Sequence, residues 1–371
     1  MRAPPVVFVL VPFAREGGAL VSPYYDTPEL RRDVASWMAA LGARWEWVSV
    51  TIDGVEQAVR RVAREAPAIA LNLCDGDDVN GYPGLSVVRA LAAAGVAHTG
   101  ADAAFYALST SKLAMKRRFV AAGVATAPWV EIAEPARDVA RAERALGLPF
   151  FLKPDVSFGS AGITVRSVIR DRASGVAQAM RLFGGMHGCR FAPGAIFAEP
   201  FLPGPEYTVL LFDDPRAPDG VRVLAPCERV FHPGLPPLER YLTFERYCEE
   251  YDEDPPPPPG EPYYRYAAVE AERAAPLAAL ARAAYRAVGG HAYARVDLRV
   301  CGAGAARVLE VNANCGLSSD DTSTAGAILA ESGCAMAELI GAVLAHGWRR
   351  RHGATTPPFD EPARAVALGA G

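Results

Sequence analysis

The sequence has little lysine, no C-x-x-C motif and no membrane-length apolar run. Only three of its 38 basic residues are lysines, at positions 112, 116 and 153. Seven cysteines without a C-x-x-C motif argue against a structural zinc site, and in 371 residues they favour a reducing compartment over a disulfide scaffold. Because the longest early apolar run, residues 6–13, is too short to cross a membrane, we expect a cytoplasmic protein without a membrane partner.

Neither sign of charge is in large excess. The 38 basic and 42 acidic residues give a net charge of −4, so the chain has no general basic character and we expect no nucleic-acid partner. Apolar residues make up 51% of the chain and charged residues 22%, which provides a large core and excludes disorder for most of the chain. The length predicts two or three domains rather than one.

The first hundred residues alternate between predicted strands and helices. Pro83 near the first turn and Gly95 just past the end mark one of these helices. The alternation is typical of βαβ units, and it predicts a parallel sheet with helices on its faces. We expect strands at 6–11, 45–50 and 68–73, and helices at 28–41, 55–64 and 83–94.

The later segments predict two further domains. Residues 109–111 can cap a helix that ends near Ala122, and five consecutive prolines at 255–259 predict an extended loop. We expect strands at 149–153, 163–168, 195–202, 207–212, 293–300 and 306–312, and a helix at 276–288. The predicted organisation is an N-terminal domain at 1–106, a central domain at 107–202, a C-terminal domain at 203–346 and a weakly ordered tail at 347–371.

The predicted hairpin at 293–312 carries polar residues on one face. Arg295 and Asp297 are two positions apart on the first strand, and Glu310 and Asn312 are two apart on the second. Oxygen ligands of this kind suit Mg²⁺, which binds through a few carboxylates together with water and substrate phosphates. A solvated sheet face with cross-strand ion pairs would give the same pattern.

Lys153 ends a predicted buried strand and is followed by a loop of glycine and serine. A buried lysine is unfavourable without an anionic partner, and the loop at 157–162 could direct N–H groups and hydroxyls towards phosphate. No Gly-Lys pair exists in the chain, so this is not a P-loop. An ordinary turn after a strand explains the same residues.

A third pattern is the apolar strand at 197–202 followed by Glu206. Such a strand can pair a purine edge through its backbone, and the glutamate can accept from ribose hydroxyls. A plain strand and turn remains the alternative.

In order and approximate spacing, these segments resemble the ATP-grasp superfamily, and within it the D-alanine–D-alanine ligase branch. The resemblance spans about residues 71–344. It rests on the blocks ALSTSKLAMKRRFVAAGVATAPWV, FFLKPDVSFGSAGITV, IFAEPFLPGPEYTVLL, YARVDLRV and RVLEVNANCGLSS. It implies an α/β (α+β) ATP-grasp fold of three domains, the first a Rossmann-like domain that precedes the ATP-grasp domains.

The resemblance also implies a nucleotide site with ATP and two Mg²⁺ ions as cofactors. Phe151 and Leu309 would pack near the adenine ring, and Glu206 would bind ribose. The implied phosphate ligands are Lys112, Lys153 and the closing loop with Ser157, Gly159 and Ser160. The implied adenine ligands are Glu199, Phe201 and Leu202, and the implied metal ligands are Asp297, Glu310 and Asn312.

The implied reaction joins a small carboxylate to an amine. The carboxylate attacks the γ-phosphate of ATP to give an acyl phosphate and ADP, and the amine then attacks the acyl carbon. Lys153 would assist the phosphoryl transfer, and Arg295 with the N–H of Gly316 would stabilise the oxyanion. Looser matches place Arg246 and Tyr247 on a covering loop and Ser318 and Asp321 at the substrates. Members of the branch are often dimeric, so the resemblance implies a homodimer.

Three departures from the branch concern the substrates. Its His-Gly pair is absent from residues 74–81, and its pattern for the first D-alanine is absent from 12–30. Asp321 stands where a hydroxyl would bind the second carboxylate, and with Asp320 it would repel that group. We therefore expect substrates other than two D-alanines, from amino-acid or small natural-product metabolism.

Other functions remain open at this stage. The acceptor could be a hydroxyl, a thiol or a carrier protein, and a regulatory ATP-binding module without catalysis is a rival from another class. Arg295 argues against the module, because nucleotide binding alone does not require it. A dehydrogenase is disfavoured, since no G-x-G-x-x-G follows the first strand.

Overall fold

The computed structural model describes residues 6–16, 19–22, 25–65, 68–248, 251–252 and 254–359. Within these ranges the chain forms three main sheets in succession and one small two-stranded sheet. The mixed α/β (α+β) class predicted from the sequence is confirmed. The proposed domain boundaries remain a prediction, although each main sheet draws its strands from a separate part of the chain.

The first sheet is parallel, with strand order β4-β1-β5-β6. Strand β1 is apolar along almost its whole length because both faces of the sheet are covered. Thr27 caps the first helix by accepting from the N–H of Leu30. The elements are β1 (Val6–Pro12), β2 (Ala14–Glu16), β3 (Ala19–Val21), α1 (Pro28–Ala40), β4 (Arg44–Val50), α2 (Val55–Ala63), β5 (Ala68–Asn72), α3 (Leu85–Ala93) and β6 (Ala97–His98).

The second sheet is antiparallel, with strand order β7-β10-β8-β9. Two helices precede it, and Ser111 caps the second of them as predicted. The elements are α4 (Ala103–Thr110), α5 (Lys112–Ala121), β7 (Val130–Ile132), α6 (Pro135–Leu146), β8 (Phe150–Pro154), β9 (Val168–Ile169), α7 (Arg172–Gly184) and β10 (Ile196–Pro200).

The third sheet has six strands in the order β14-β13-β11-β15-β16, with β12 paired to β11. Strands β15 and β16 form the predicted hairpin, and their register places Arg295 opposite Asn312 and Asp297 opposite Glu310. The elements are β11 (Glu206–Asp213), β12 (Val221–Val223), β13 (Cys227–Phe231), α8 (Phe244–Cys248), β14 (Tyr264–Ala268), α9 (Ala271–Ala287), β15 (Tyr293–Val300), β16 (Ala306–Ala313), α10 (Thr324–Glu331) and α11 (Met336–His352).

Two of the predicted elements are wrong. Residues 163–168 are not a strand, because Thr164 caps a short 3₁₀ turn over Val165–Ser167 and leaves only Val168 and Ile169 to pair. The tail does not begin at 347, because α11 continues to His352. Arg350 on that helix donates to the carbonyls of His98 and Gly100, which fixes its end to the first sheet. Residues 360–371 of the predicted tail lie outside the described residues.

The first and third sheets share one apolar core. Trp37 of α1, Phe212 of β11 and Leu339 of α11 belong to the same buried cluster, so the first domain is packed against the hairpin domain. In the described ranges no single helix is long and apolar enough to cross a membrane, and only α10 and α11 together, bent by 105°, reach that length and composition.

Replacing Gly100 with alanine is expected to destabilise the junction between the first sheet and the hairpin. Gly100 has φ of +82°, and a Cβ there would lie 2.0 Å from Oδ1 of Asn314. That oxygen accepts from the N–H of Ala101 at 2.8 Å. We expect Gly100→Ala to lower the unfolding free energy by about 3 kcal/mol in urea denaturation, from backbone strain plus a lost buried hydrogen bond.

The matched control is Gly123→Ala. Gly123 has φ of +70°, but a Cβ there would meet no atom within 4 Å. It should therefore lose only the strain term of about 1 kcal/mol. Equal losses in the two variants would show that the Asn314 contact does not constrain the junction.

Candidate functional site

A cavity of about 710 Å³ is bounded by strand residues of the second and third sheets and by helix and loop residues of the first domain. Its lining includes most of the predicted site residues. Those from the central region are Lys112, Phe151, Lys153, Ser157, Gly159, Ser160, Glu199, Phe201 and Leu202. Those from the C-terminal region are Glu206, Tyr247, Arg295, Asp297, Leu309, Glu310, Asn312, Gly316 and Ser318.

The predicted polar face of the hairpin forms one side of the cavity. The Arg295 guanidinium donates to both oxygens of Asp297, with Nη2 2.8 Å from Oδ2. Thr208 donates to Oδ1 at 2.8 Å and the Asn312 amide to Oδ2 at 3.0 Å. Burial alone would raise the pKa of the Asp297 carboxyl, but the Arg295 charge and its hydrogen bonds lower it, so Asp297 is an anion at neutral pH.

Glu199 joins two lysines beneath the cavity. Its Oε1 lies 2.6 Å from Nζ of Lys153 and its Oε2 lies 2.6 Å from Nζ of Lys116. Burial alone would raise the pKa of Glu199, but the two lysines lower it to about 2. The Glu199 side chain, predicted at adenine, therefore has two cationic partners, whereas residues 199–202 still lie along the cavity wall.

Sequence reasoning assigned no role to Lys116. Its side chain is fully buried on α5, and Nζ also donates to the Thr126 hydroxyl at 3.1 Å and to the carbonyl of Ala127 at 3.0 Å. The scarcity of lysine was the available signal, because all three lysines of the chain lie at or directly behind this cavity.

Two arginines that the sequence analysis did not single out hold Glu206. Nη1 of Arg229 donates to Oε1 of Glu206, and Nη1 of Arg299 lies 3.0 Å from Oε2. The Arg299 guanidinium also lies 5.4 Å from the ring centroid of Phe201. The signal for Arg299 was its spacing, since it continues the alternation of Arg295 and Asp297 on β15.

An aromatic wall stands beside this arginine pair. The Tyr241 ring meets Phe151 edge-on with centroids 5.0 Å apart, and it meets Phe201 at 6.4 Å. Leu202 and Leu309 line the same cavity, so apolar and aromatic side chains are available to hold a flat ring system.

The glycine and serine loop at 157–162 lines the cavity through its first four residues. Gly159 and Ser160 both have positive φ, and a Cβ on Gly159 would lie 3.2 Å from the Tyr247 ring. Lys112 donates to the Ser157 hydroxyl at 3.2 Å and lies 3.5 Å from Oε2 of Glu310. The loop is therefore connected to α8 and to the hairpin.

Two predicted substrate residues do not reach the cavity wall. The Arg246 guanidinium is buried between the carbonyl of Glu239, at 2.6 Å, and the Asp254 carboxylate, at 3.4 Å. Asp321 is exposed, and its neighbour Asp320 lines the cavity instead. Arg246 thus holds the covering segment together, and Asp320 supplies the negative charge that was expected at Asp321.

The cavity end near the first sheet contains a pair that sequence reasoning missed. Tyr25 donates its hydroxyl hydrogen to Oδ2 of Asp75, and that hydroxyl lies 3.6 Å from the position of a Cβ on Gly316. Burial raises the pKa of Asp75 to about 7, although the Tyr25 hydrogen bond and Arg295 oppose the shift. Both residues fall in the stretches that depart from the branch pattern, and that departure was the only signal.

Comparison with known proteins adds sequence evidence to this geometry. The profile of the D-ala D-ala ligase C-terminus family matches residues 196–345. A D-alanine–D-alanine ligase of Desulforudis audaxviator is 30% identical over 284 residues, which cover 75% of this chain and 81% of that protein. The corresponding ligase of Xanthomonas axonopodis pv. citri is 27% identical over 271 residues, covering 72% and 75%.

Two solved structures of D-alanine-joining enzymes share the architecture of this chain. A D-alanine–D-alanine ligase from Bacillus anthracis in complex with ATP superposes with a TM-score of 0.64 at 16% identity, covering 94% of this chain and 99% of that one. The D-alanyl-alanine synthetase A of Vibrio cholerae gives a TM-score of 0.66 at 13% identity with the same coverage. Because the fold agrees over nearly the whole length and the sequence agrees over most of a relative, the chain belongs to the D-alanine–D-alanine ligase family and is an ATP-grasp ligase.

Proposed function

We propose that this ligase joins a carboxylate to an amine through an acyl phosphate, with at least one substrate other than D-alanine. The observation that carries the proposal is a single cavity lined by cationic groups in one part and by carboxylates in another. Lys153 and Arg299 lie beside Phe151 and Phe201 of the aromatic wall and Lys112 beside Ser157, which we call the positive end. Asp75 lies beside Tyr25 and Asp320 beside Ser318, which we call the negative end.

The positive end suits ATP. The aromatic wall and Leu309 would hold adenine, and the backbone of 199–202 would pair with its edge. Lys153 shares Glu199 with Lys116, so two lysines and one carboxylate leave a net positive charge for the phosphates. Lys112, hydrogen-bonded to the loop at Ser157, would bind phosphate where the loop closes.

The hairpin suits two Mg²⁺ ions. Asp297 and Glu310 stand directly opposite each other on β15 and β16. Arg295 and Lys112 offset their charges in the unliganded protein, and two carboxylates facing each other supply the oxygen ligands that Mg²⁺ prefers. In the described part of the chain no group of three or more His, Cys, Asp and Glu side chains is arranged for a metal. The proposed ligands are therefore two carboxylates and the Asn312 amide. Bound Mg²⁺ would neutralise charge on the phosphates.

The remaining residues act on the acyl group. Arg295, fixed by its bonds to Asp297, would donate towards the oxyanion of the tetrahedral intermediate together with the N–H of Gly316. The loop at 157–162, packed against Tyr247, would exclude water from the acyl phosphate.

The negative end argues against a second D-alanine. Its carboxylate would approach Asp320, whose Oδ1 accepts from the N–H and hydroxyl of Thr322 at 2.8 and 2.7 Å. The Thr322 hydrogen bonds lower the pKa of Asp320, so it carries charge at neutral pH. An amine without a nearby carboxylate, or with a second cationic group, fits this end better.

The reaction is tested with Mg·ATP, hydroxylamine and panels of carboxylates and amines. We expect ADP, phosphate and a hydroxamate that depend on one carboxylate, because hydroxylamine captures an acyl phosphate. D-alanine alone should give at most a trace of D-alanyl-D-alanine, because Asp320 repels the second carboxylate.

Three outcomes would contradict the proposal. AMP and pyrophosphate would overturn the acyl phosphate, and rapid D-alanyl-D-alanine formation would overturn the substrate assignment. Product formation with hydroxyl or thiol acceptors but with no amine would overturn the proposal that the acceptor is an amine.

Removing either carboxylate of the hairpin should abolish turnover without unfolding the protein. We expect Asp297→Asn and Glu310→Gln to lower kcat at least about 100-fold, because each removes a metal ligand. The exposed Glu331→Gln on α10 is the control. Near-normal kcat in either hairpin variant, with an unchanged melting temperature, would refute the metal assignment.

Lys153 and Lys116 provide a matched pair. Each shares Glu199, so Lys153→Met and Lys116→Met should both lower the unfolding free energy by about 1–3 kcal/mol. Only Lys153 lines the cavity, so only Lys153→Met should raise the KM for Mg·ATP, by about tenfold or more. A similar KM increase in both variants would contradict direct contact as the cause. The increase would then follow from the disturbed Glu199, which both lysines share.

A further inference from the structure

We infer that Asp75 is the general base of the second half-reaction, which takes a proton from the attacking ammonium, and that Tyr25 positions it. The inference rests on the ligase reaction proposed above. It concerns a carboxylate in the cavity lining to which the nucleotide and metal assignments give no role.

One of the two carboxylate oxygens of Asp75 is not hydrogen-bonded to any described residue. Tyr25 donates to Oδ2, whereas Oδ1 is buried and has no hydrogen-bond partner among the described residues. The neighbouring carboxylates of the same loop are fully used. Asp77 accepts from the Asn80 N–H at 2.7 Å, and Asp78 accepts from the Ser86 N–H at 2.7 Å. Asp77 and Asp78 therefore build the loop, whereas Asp75, which lines the cavity, keeps one buried oxygen without a hydrogen-bond partner among the described residues.

Asp75 is also close to the reacting centre. The Tyr25 hydroxyl lies 3.6 Å from the position of a Cβ on Gly316, whose N–H is the proposed oxyanion donor. The Arg295 charge acts on the Asp75 carboxyl across the same space. An amine bound between Gly316 and the first sheet would therefore lie close to the Asp75 carboxyl.

The ammonium R–NH₃⁺ gives one proton to the Asp75 carboxylate, and the free amine forms a C–N bond to the acyl phosphate carbon. The tetrahedral intermediate then breaks its C–O bond to phosphate, and the second nitrogen proton leaves with phosphate as HPO₄²⁻. The products are the amide, HPO₄²⁻ and protonated Asp75, which returns its proton to solvent.

The titration of Asp75 suits this role. Burial raises its pKa to about 7, close to the ordinary working pH, where a general base is most effective. The charged and titratable groups that face it are Tyr25, Cys74, Tyr106, Tyr247, Tyr293, Arg295 and Cys315. Burial raises the pKa of each tyrosine and thiol in that set, so they stay neutral while Asp75 titrates.

The decisive experiment compares two acceptors in Asp75→Asn. Hydroxylamine is uncharged at neutral pH and needs no base, whereas the amine acceptor that the panel identifies is an ammonium ion. At pH 7 we expect hydroxamate formation within about threefold of wild type and amide formation at least about 100-fold slower. The amide rate of the variant should recover as rising pH supplies free amine. Asp26→Asn, at an exposed ion pair beside Tyr25, is the control.

A second variant tests the positioning role of Tyr25. The Tyr25 hydrogen bond lowers the pKa of Asp75, so Tyr25→Phe should move the acidic limb of the amide rate to higher pH, and Asp75→Asn should remove that limb. In the unliganded protein, an aspartate ¹³C-carboxyl resonance should titrate near pH 7 and disappear in Asp75→Asn.

The outcomes separate this inference from the proposed function. The inference would be overturned if Asp75→Asn lost hydroxamate and amide formation equally, or if its amide formation were unchanged. It would also be overturned if no carboxyl titrated near pH 7. None of these results would contradict the proposed ligase reaction. Failure of the wild-type protein to form ADP with any carboxylate would overturn the proposed function, and the base assignment with it.

Discussion

The buried ion triplet of Lys116, Glu199 and Lys153 is the constraint on which the site depends. A carboxylate with 3% exposure cannot remain charged without partners, and Glu199 obtains one from α5 and one from β8. These contacts hold α5, β8 and β10 in one arrangement beneath the cavity. Because the triplet carries one positive charge in excess, the same contacts that satisfy the fold leave a surface suited to an anion.

The opposite charges of the two cavity ends give the bound molecules a direction. Glu206 is held by Arg229 and Arg299 at the positive end, so its own charge is offset before any ligand binds. Asp75 at the negative end accepts from the neutral Tyr25 hydroxyl, which leaves its charge less fully offset than that of Glu206. The hairpin lies between them with a paired Asp297, so phosphate and amine would approach the acyl carbon from opposite sides.

The sequence predicted the strands and the loop that carry this site better than the side-chain contacts within it. The hairpin and the strand before the loop followed from alternation and burial, which are local properties, and their residues line the cavity as expected. The partners of Glu199 and Asp75 were not predictable, because they lie on elements far apart in the chain. Tyr25 and Asp75 are separated by 50 residues, and no local pattern joins them. Residues 163–168 were misassigned because Thr164 caps a turn in a segment with the composition of a strand.

The distribution of lysine has a consequence for how the molecule can be labelled. Lys112 and Lys153 are each 7% exposed and Lys116 is fully buried, so the chain has no lysine on its outer surface. Reagents that acylate primary amines would therefore find, apart from the terminal amine, only groups within or behind the cavity. With the proposed nucleotide roles of Lys112 and Lys153, the extent of acylation would report occupancy of the site by ATP. Coupling through lysine is a poor way to attach this protein to a surface.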